Sequence, residues 1–167
     1  NANHLLLLGK CLVGNGSTEI SYVIDWLTSK KNILKIDKNK IFLFGHSSGG
    51  TLSQYAAALD TRIKGTLASG SVGPIRETIG SRGCGSGEGI VPGFLKWFDT
   101  SDLIALIAPR AFVALSGDKD HIFPYSGLAK VVKTSKKFYQ KLNASNKIKG
   151  IKVKGKHKYY SQKTWEV

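Results

Sequence analysis

The residues that could do chemistry begin with a serine between glycines, in the pentapeptide GHSSG at residues 45–49. The pattern G-x-S-x-G alone is a weak signal in a chain that contains 19 Gly. Here it follows an apolar run at residues 41–44 and precedes a helical pattern that begins near Thr51. A strand, a sharp turn and a helix in that order expose a nucleophilic serine. The sequence therefore predicts Ser47 as a nucleophile and Ser48 as the donor of a backbone N–H to an oxyanion.

The glycines of this segment have a predicted steric reason. In so tight a turn, side chains two residues before and two residues after the serine would clash, which accounts for Gly45 and Gly49. Gly50 would remove a further side chain where the helix meets the sheet.

A serine hydroxyl needs a general base, and that base needs an acid to orient it. In this kind of site the chain order is serine, acid, histidine. Asp118 and Asp120 follow an apolar run at residues 111–115, and either could instead make an Asx turn or a helix N-cap. Asp118 fits that structural role better, directly after Gly117. Of four histidines, only His157 lies beyond the acid and just past a predicted strand, so it is the predicted base.

The elements that must position these residues alternate between helical and strand periodicity. Apolar residues recur at helical spacing in residues 20–27, 52–59 and 128–142. In the last segment they are Leu128, Val131, Val132, Phe138 and Leu142, with lysines on the other face. The predicted strands are residues 41–44, 63–68, 111–115 and 148–153. The first and third are almost continuously apolar, as in strands covered on both faces, whereas lysines in the fourth are typical of an edge. The alternation predicts an α/β fold with a mostly parallel sheet and helices on both faces.

The connection at residues 69–97 is rich in glycine and could be a linker or a loop that shapes a pocket. Phe94, Trp97 and Phe98 favour the pocket, because a linker would contain few aromatic residues. We also assign His46, beside the nucleophile, to this predicted substrate pocket.

Composition argues against several classes of function. The net charge is +14, but Lys outnumbers Arg 21 to 4, and Arg is the residue suited to bidentate phosphate and base contacts, so we expect no nucleic-acid partner. The two cysteines lack C-x-x-C spacing and the four histidines are scattered, so we expect no metal site. No apolar run approaches the ~20 residues of a membrane span, so no membrane partner is expected.

Several separate segments together resemble one enzyme family. They are GHSSGGT at 45–51, AALDTRIK at 57–64, VPGFLKWFD at 91–99, DLIALIAPR at 102–110 and GDKDHIFP at 117–124. His157 and Trp165 fit as well. In this order they resemble the acetyl xylan esterase and dienelactone-hydrolase-like branch of the α/β-hydrolases, over residues 9–166.

The resemblance implies that residues 1–167 are the C-terminal portion of a single α/β-hydrolase catalytic domain that lacks the N-terminal strands. In the family the acid lies four residues before a proline, which selects Asp120 by its distance from Pro124. Such enzymes cleave small carboxylic esters, often acetyl groups on sugars, without metal or cofactor. The second oxyanion donor of the family has no candidate here, and the first strand would be a bare edge open to self-association. The alternatives are a prolyl-oligopeptidase-like peptidase and a non-catalytic binding module of the same fold.

Overall fold

A computed structural model describes residues 2–79 and 89–166, so that part of the glycine-rich connection, with Cys84, lies outside the described residues. Its centre is a four-stranded sheet in which every pair of neighbours is parallel. The spatial order β1-β2-β3-β4 is also the chain order. The strands are β1 Phe42–His46, β2 Gly65–Ser69, β3 Ala111–Gly117 and β4 Ile148–Val153. The predicted parallel sheet is confirmed, with β4 at an edge as its lysines indicate.

The helices lie between these strands and at the two ends of the chain. They are α1 Ala2–Leu7, α2 Leu12–Thr28, α3 Ser48–Leu59, α4 Thr100–Ala105, α5 Tyr125–Lys141 and α6 Ser161–Trp165, with 3₁₀ turns at Phe94–Lys96 and Ser145–Lys147. Helix α2 begins earlier than predicted. The sequence did not indicate its first turns because they are rich in Gly and Ser and carry a weak apolar pattern. Those turns are nevertheless packed, with Val13 and Ser17 buried.

Helices cover both faces of the sheet. Leu43 of β1 points into the main core, which includes Ile24 of α2 and Ala56 of α3. Side chains alternate along a strand, so Phe44 points to the opposite face. There its ring lies 5.5 Å from that of Trp165 in α6. The carboxyl ends of the strands therefore open between two helical layers, which is where ligands bind in parallel α/β sheets.

Two details of the predicted packing are wrong. Strand β1 is not covered along its whole length, because on the face that packs against α6 its first residue, Phe42, is 64% exposed. In α5 the buried stripe continues from Leu128 through positions 131, 135 and 139, so the buried aromatic residue is Tyr139 and not Phe138. The physical reason for Phe138 is the helical period, which places it about 100° around the axis from Tyr139, whereas Leu142 is the C-cap residue beyond the last helical position.

The exposed edge of β1 leads to a prediction about association. In the described part of the chain no strand pairs with this edge, and α2 exposes Tyr22, Val23 and Trp26. An unpaired edge with apolar side chains favours strand pairing between copies. We expect sedimentation of the purified chain at tens of micromolar to show dimers or larger species, and Phe42→Lys to shift them toward monomer. Lys149→Ala, on the opposite edge strand, should leave the distribution unchanged, and a wild-type chain that stays monomeric would contradict the prediction.

Candidate active site

Ser47 lies in a strained turn between β1 and α3. Its backbone φ of 54° falls in the left-handed region, which few residues other than glycine adopt. The conformation is held by two hydrogen bonds, from the Ser47 N–H to the Ser69 carbonyl at 2.8 Å and from the Thr51 N–H to the Ser47 carbonyl at 2.9 Å. Strain of this kind, on the order of 1–3 kcal/mol, persists where the surrounding structure fixes it, and it is common at functional sites.

Two of the three predicted glycine requirements are observed. A Cβ atom on Gly45 would lie 2.1 Å from the Gly49 carbonyl oxygen, and one on Gly50 would lie 2.3 Å from the Ser71 Oγ. The requirement at Gly49 is wrong, because a Cβ there would meet no atom of the described residues within 4 Å. Gly49 already belongs to α3, and its Cβ position points away from the strand that makes the turn tight.

The two outer glycines therefore form a matched pair for a stability test. We expect Gly45→Ala to lower the free energy of unfolding by more than about 2 kcal/mol, because backbone must move to admit the methyl group. Gly49→Ala should leave stability unchanged or raise it by up to ~1 kcal/mol, since alanine is the better helix former. Denaturant unfolding of both variants measures this, and equal losses would show that the turn is not closed as described.

Three predicted residues from distant parts of the sequence come together beside this turn. The Ser47 Oγ lies 3.0 Å from the Nε2 atom of His157. The Nδ1 atom of the same ring lies 2.8 Å from the Oδ2 atom of Asp120. Both distances are within hydrogen-bonding range, and the imidazole bridges the hydroxyl and the carboxylate. The arrangement can take a proton from the serine and stabilise the resulting imidazolium.

The carboxylate of Asp120 is held from both sides. It is 4% exposed, and its Oδ1 atom accepts hydrogen bonds of 2.9 Å from the N–H groups of Ile122 and Phe123. Asp120 therefore makes an Asx-type turn, which is the structural role that the sequence favoured for Asp118. Asp118 instead accepts a 2.8 Å hydrogen bond from the Gly155 N–H. This bond connects the loop that carries Asp120 to the loop that carries His157. The sequence missed this contact because its partner is 37 residues away.

The imidazole of His157 lies close to two other rings. Its centroid is 5.1 Å from that of His46 and 6.2 Å from that of Phe123. The Nδ1 atom of His46 lies 3.1 Å from the Ser69 Oγ. Burial lowers the pKa of His46 below its ordinary value, and the neighbouring His157 lowers it further. Because the folded pKa is depressed, protonation opposes folding, so this residue costs stability as the pH falls below about 6.5.

A cavity of about 280 Å³ opens beside the serine. Its walls are partly apolar and partly polar. The apolar side chains come from the glycine-rich connection and from the loop that carries Asp120, and the polar ones come from α3. The residues that line it include Ser47, Ser48, Gln54, Tyr55, Ile75, Ile79, Leu103, Ile122 and Phe123. Gln54, Tyr55 and Phe123 were not predicted as pocket residues. A signal for Tyr55 was available, because it lies at helical spacing from Ser48 and Thr51, which follow the nucleophile. Tyr55 also fits a stripe of core residues, so this signal is ambiguous.

The predicted pocket residues lie elsewhere. His46, Phe94, Trp97 and Phe98 are not among the residues that line the cavity beside Ser47. Gly93 adopts a left-handed conformation and starts a 3₁₀ turn, which directs the ring of Phe94 toward Tyr55 and Phe98. Trp97 is 80% exposed. The glycine-rich connection does line the cavity, as expected of a pocket-shaping loop, but through Ile75 and Ile79 and not through these aromatic rings.

Ser48 is the first residue of α3, and it lines the cavity. The N–H groups of a helix's first turn have no partner within the helix, and the helix dipole adds positive potential there. Within residues 2–79 and 89–166, no group of three or more His, Cys, Asp or Glu side chains could hold a metal ion. No helix in this part of the chain is long and apolar enough to cross a membrane.

Comparison with known proteins identifies the fold. No family model matches the chain. A curated relative, "Putative hydrolase YtaP" of Bacillus subtilis (strain 168), is 30% identical over 132 residues, which are 77% of this chain and 43% of the relative. Among solved structures, a carbohydrate esterase family 15 glucuronoyl esterase from Caldicellulosiruptor kristjansonii matches with a TM-score of 0.78 and 21% identity, over 92% of this chain and 48% of that one.

A second solved structure, named a "putative acetyl xylan esterase", from Bacteroides fragilis NCTC 9343, matches 98% of this chain and 40% of its own, with a TM-score of 0.69 and 20% identity. The chain thus spans less than half the length of each of these relatives. With a parallel sheet in this order and helices on both faces, the chain has the α/β-hydrolase fold.

Proposed function

We propose that this chain carries the catalytic triad of a serine hydrolase that cleaves carboxylic esters. One observation carries the proposal, namely that His157 bridges the Ser47 hydroxyl at 3.0 Å and the Asp120 carboxylate at 2.8 Å. The names of the relatives, which are esterases and a hydrolase, support ester hydrolysis as the reaction.

In the proposed reaction, the Ser47 Oγ forms a bond to the acyl carbon while His157 Nε2 takes the hydroxyl proton. The carbonyl oxygen becomes an oxyanion that accepts a hydrogen bond from the Ser48 N–H. When the tetrahedral intermediate collapses, the bond to the alkoxy oxygen breaks and His157 returns the proton to the departing alcohol. Water, deprotonated by the same histidine, then attacks the acyl-enzyme and releases the carboxylic acid with a free Ser47.

The substrate we propose has a short, neutral acyl group such as acetyl, with a carbohydrate as the alcohol. The cavity beside Ser47 is slightly below the roughly 300–1,000 Å³ of typical ligand sites, which favours a small acyl group. Two of its polar side chains are already engaged, since Thr100 Oγ1 donates to the Gly73 carbonyl and Gln54 Nε2 donates to the carbonyls of Gly50 and Ser71. Such a wall suits an uncharged group better than an ionic one.

A substrate panel tests this proposal. The chain is assayed with p-nitrophenyl acetate, p-nitrophenyl decanoate and a prolyl p-nitroanilide, which share the nitro-aromatic leaving portion. We expect hydrolysis of the acetate and at least tenfold lower kcat/KM for the decanoate. Preferential cleavage of the anilide would replace the esterase by a peptidase, and failure to bind or cleave any of the three would contradict the proposed activity.

A further inference from the structure

The ring of His46 does not line the cavity beside Ser47, but it lies next to the base. Its centroid is 5.1 Å from that of His157, and both rings lie beside Gly70. A Cβ atom on Gly70 would lie 3.0 Å from the Cε1 atom of His46 and 3.2 Å from the Cε1 atom of His157. Gly70 has a φ of 55°, and its N–H donates a 2.7 Å hydrogen bond to the Leu115 carbonyl. The two imidazoles therefore pack beside one backbone position that favours glycine by its φ and by the space it leaves.

Ser69, the last residue of β2, connects this pair of rings to the turn that carries the nucleophile. It is fully buried, and it is the register partner of His46 in the parallel pairing of β1 with β2. Its Oγ atom lies 3.1 Å from His46 Nδ1, while its carbonyl accepts the 2.8 Å hydrogen bond from the Ser47 N–H. One residue thus holds both the backbone of the nucleophile and the ring beside the base.

His46 is neutral at pH 7, which suits a residue beside a general base. Burial lowers its pKa and the neighbouring His157 lowers it further, while Asp120 and Ser69 oppose these effects in part. A cation at this distance would oppose protonation of His157. A neutral imidazole has one N–H and one acceptor nitrogen, and a hydroxyl can pair with either, so the bond to Ser69 can form in both tautomers.

The hydrogen bond to Asp120 fixes one atom of the His157 imidazole, and the tilt of the ring then depends on what packs against it. We propose that Ser69 and His46 are positioning residues for the base. Ser69 anchors the ring of His46, and that ring holds His157 so that its Nε2 atom faces Ser47 Oγ. This role depends on the proposed function, in which His157 moves the proton of Ser47. Misplacement of a reacting group by about 1 Å can cost on the order of 100-fold in rate.

A double-substitution cycle tests whether Ser69 acts through His46. Ser69→Ala removes the anchor, and His46→Phe keeps a ring that cannot bond to it. We expect each change to lower kcat for p-nitrophenyl acetate about tenfold and to leave KM within about twofold, because neither residue lines the cavity. The double variant should match His46→Phe alone, since the hydroxyl then has no ring to hold. Losses that multiply in the double variant would overturn the proposal.

Ser135→Ala is the matched control for Ser69→Ala. The Ser135 hydroxyl belongs to an equally buried residue and donates to the Ser101 carbonyl, which joins α5 to α4. Each alanine variant loses one buried hydrogen bond, so denaturant unfolding should show similar losses of stability. Only Ser69→Ala should lower kcat. Equal losses of kcat in the two variants would indicate a general effect of lost stability and overturn the positioning role.

A second readout does not depend on hydrolysis. NMR of the chain with isotope-labelled histidine follows the exchange with water of the His157 Nδ1 proton, which is hydrogen-bonded to Asp120. We expect exchange at least about fivefold faster in Ser69→Ala and unchanged in Ser135→Ala, because a less constrained ring opens more often. If the wild-type chain does not cleave the ester, the proposed function fails, while proton exchange still decides the positioning role. Exchange that Ser69→Ala leaves unchanged would overturn that role.

Discussion

Replacement of Ser47 by alanine is expected to lower kcat for acetyl ester hydrolysis by about 10⁵-fold or more, the scale of a lost nucleophile in a serine hydrolase. Alanine removes the Oγ atom that lies 3.0 Å from His157 Nε2, and no acyl-enzyme can then form at this position. Initial rates with p-nitrophenyl acetate measure the effect, after subtraction of the uncatalysed background.

The fold should survive this change. The backbone of Ser47 is fixed by hydrogen bonds of its own N–H and C=O groups, which alanine retains. Ser145→Ala is a suitable control, because residue 145 lies at the amino-terminal end of β4, whereas Ser47, Asp120 and His157 follow the carboxyl ends of strands. Unchanged turnover in Ser47→Ala, with normal unfolding, would show that another residue is the nucleophile.

Asp120→Asn is expected to lower kcat by about 10⁴-fold, as for the orienting acid of other serine triads. The Oδ1 atom already accepts two backbone N–H groups, so the amide nitrogen would take the position of Oδ2 and face His157. An N–H donor there favours the tautomer that places the proton on Nε2. His157 could then no longer accept the proton of Ser47.

Asp118→Asn provides the matched control for that change. The side chain of Asp118 accepts one hydrogen bond from the Gly155 N–H, and an amide oxygen can accept the same bond. We expect less than about a tenfold loss of kcat, because the effect on His157 is indirect and passes through its loop. Equal losses in the two variants, or a larger loss for Asp118→Asn, would show that the acid has been misassigned.

Much of the sheet could be predicted from the sequence because local patterns determine it. Four apolar runs gave the four strands, and their alternation with helical patterns gave the parallel arrangement. The segment at 45–49 indicated the turn at Ser47 because few other local structures require this order of strand, glycine, serine and helix.

Contacts with residues that are distant in the sequence could not be predicted in the same way. The apolar run at residues 41–44 is typical of a buried strand, and the position of β1 at the edge of the sheet was implied by the family resemblance and not by this local pattern. The direction of Phe94 depends on the left-handed turn at Gly93. The hydrogen bond from the Gly155 N–H to Asp118 depends on how separate loops meet, and so do the ring contacts of His157 with His46 and Phe123.

The central claim is that Ser47 is an activated nucleophile, and a fluorophosphonate probe tests it most directly, because covalent labelling needs a serine hydroxyl next to a general base. The chain is incubated with the probe and the modified residue is located by mass spectrometry. We predict a single phosphonyl adduct on Ser47, formed at least 100-fold more slowly in His157→Ala. An unlabelled chain, or a label on any other serine, would contradict the account.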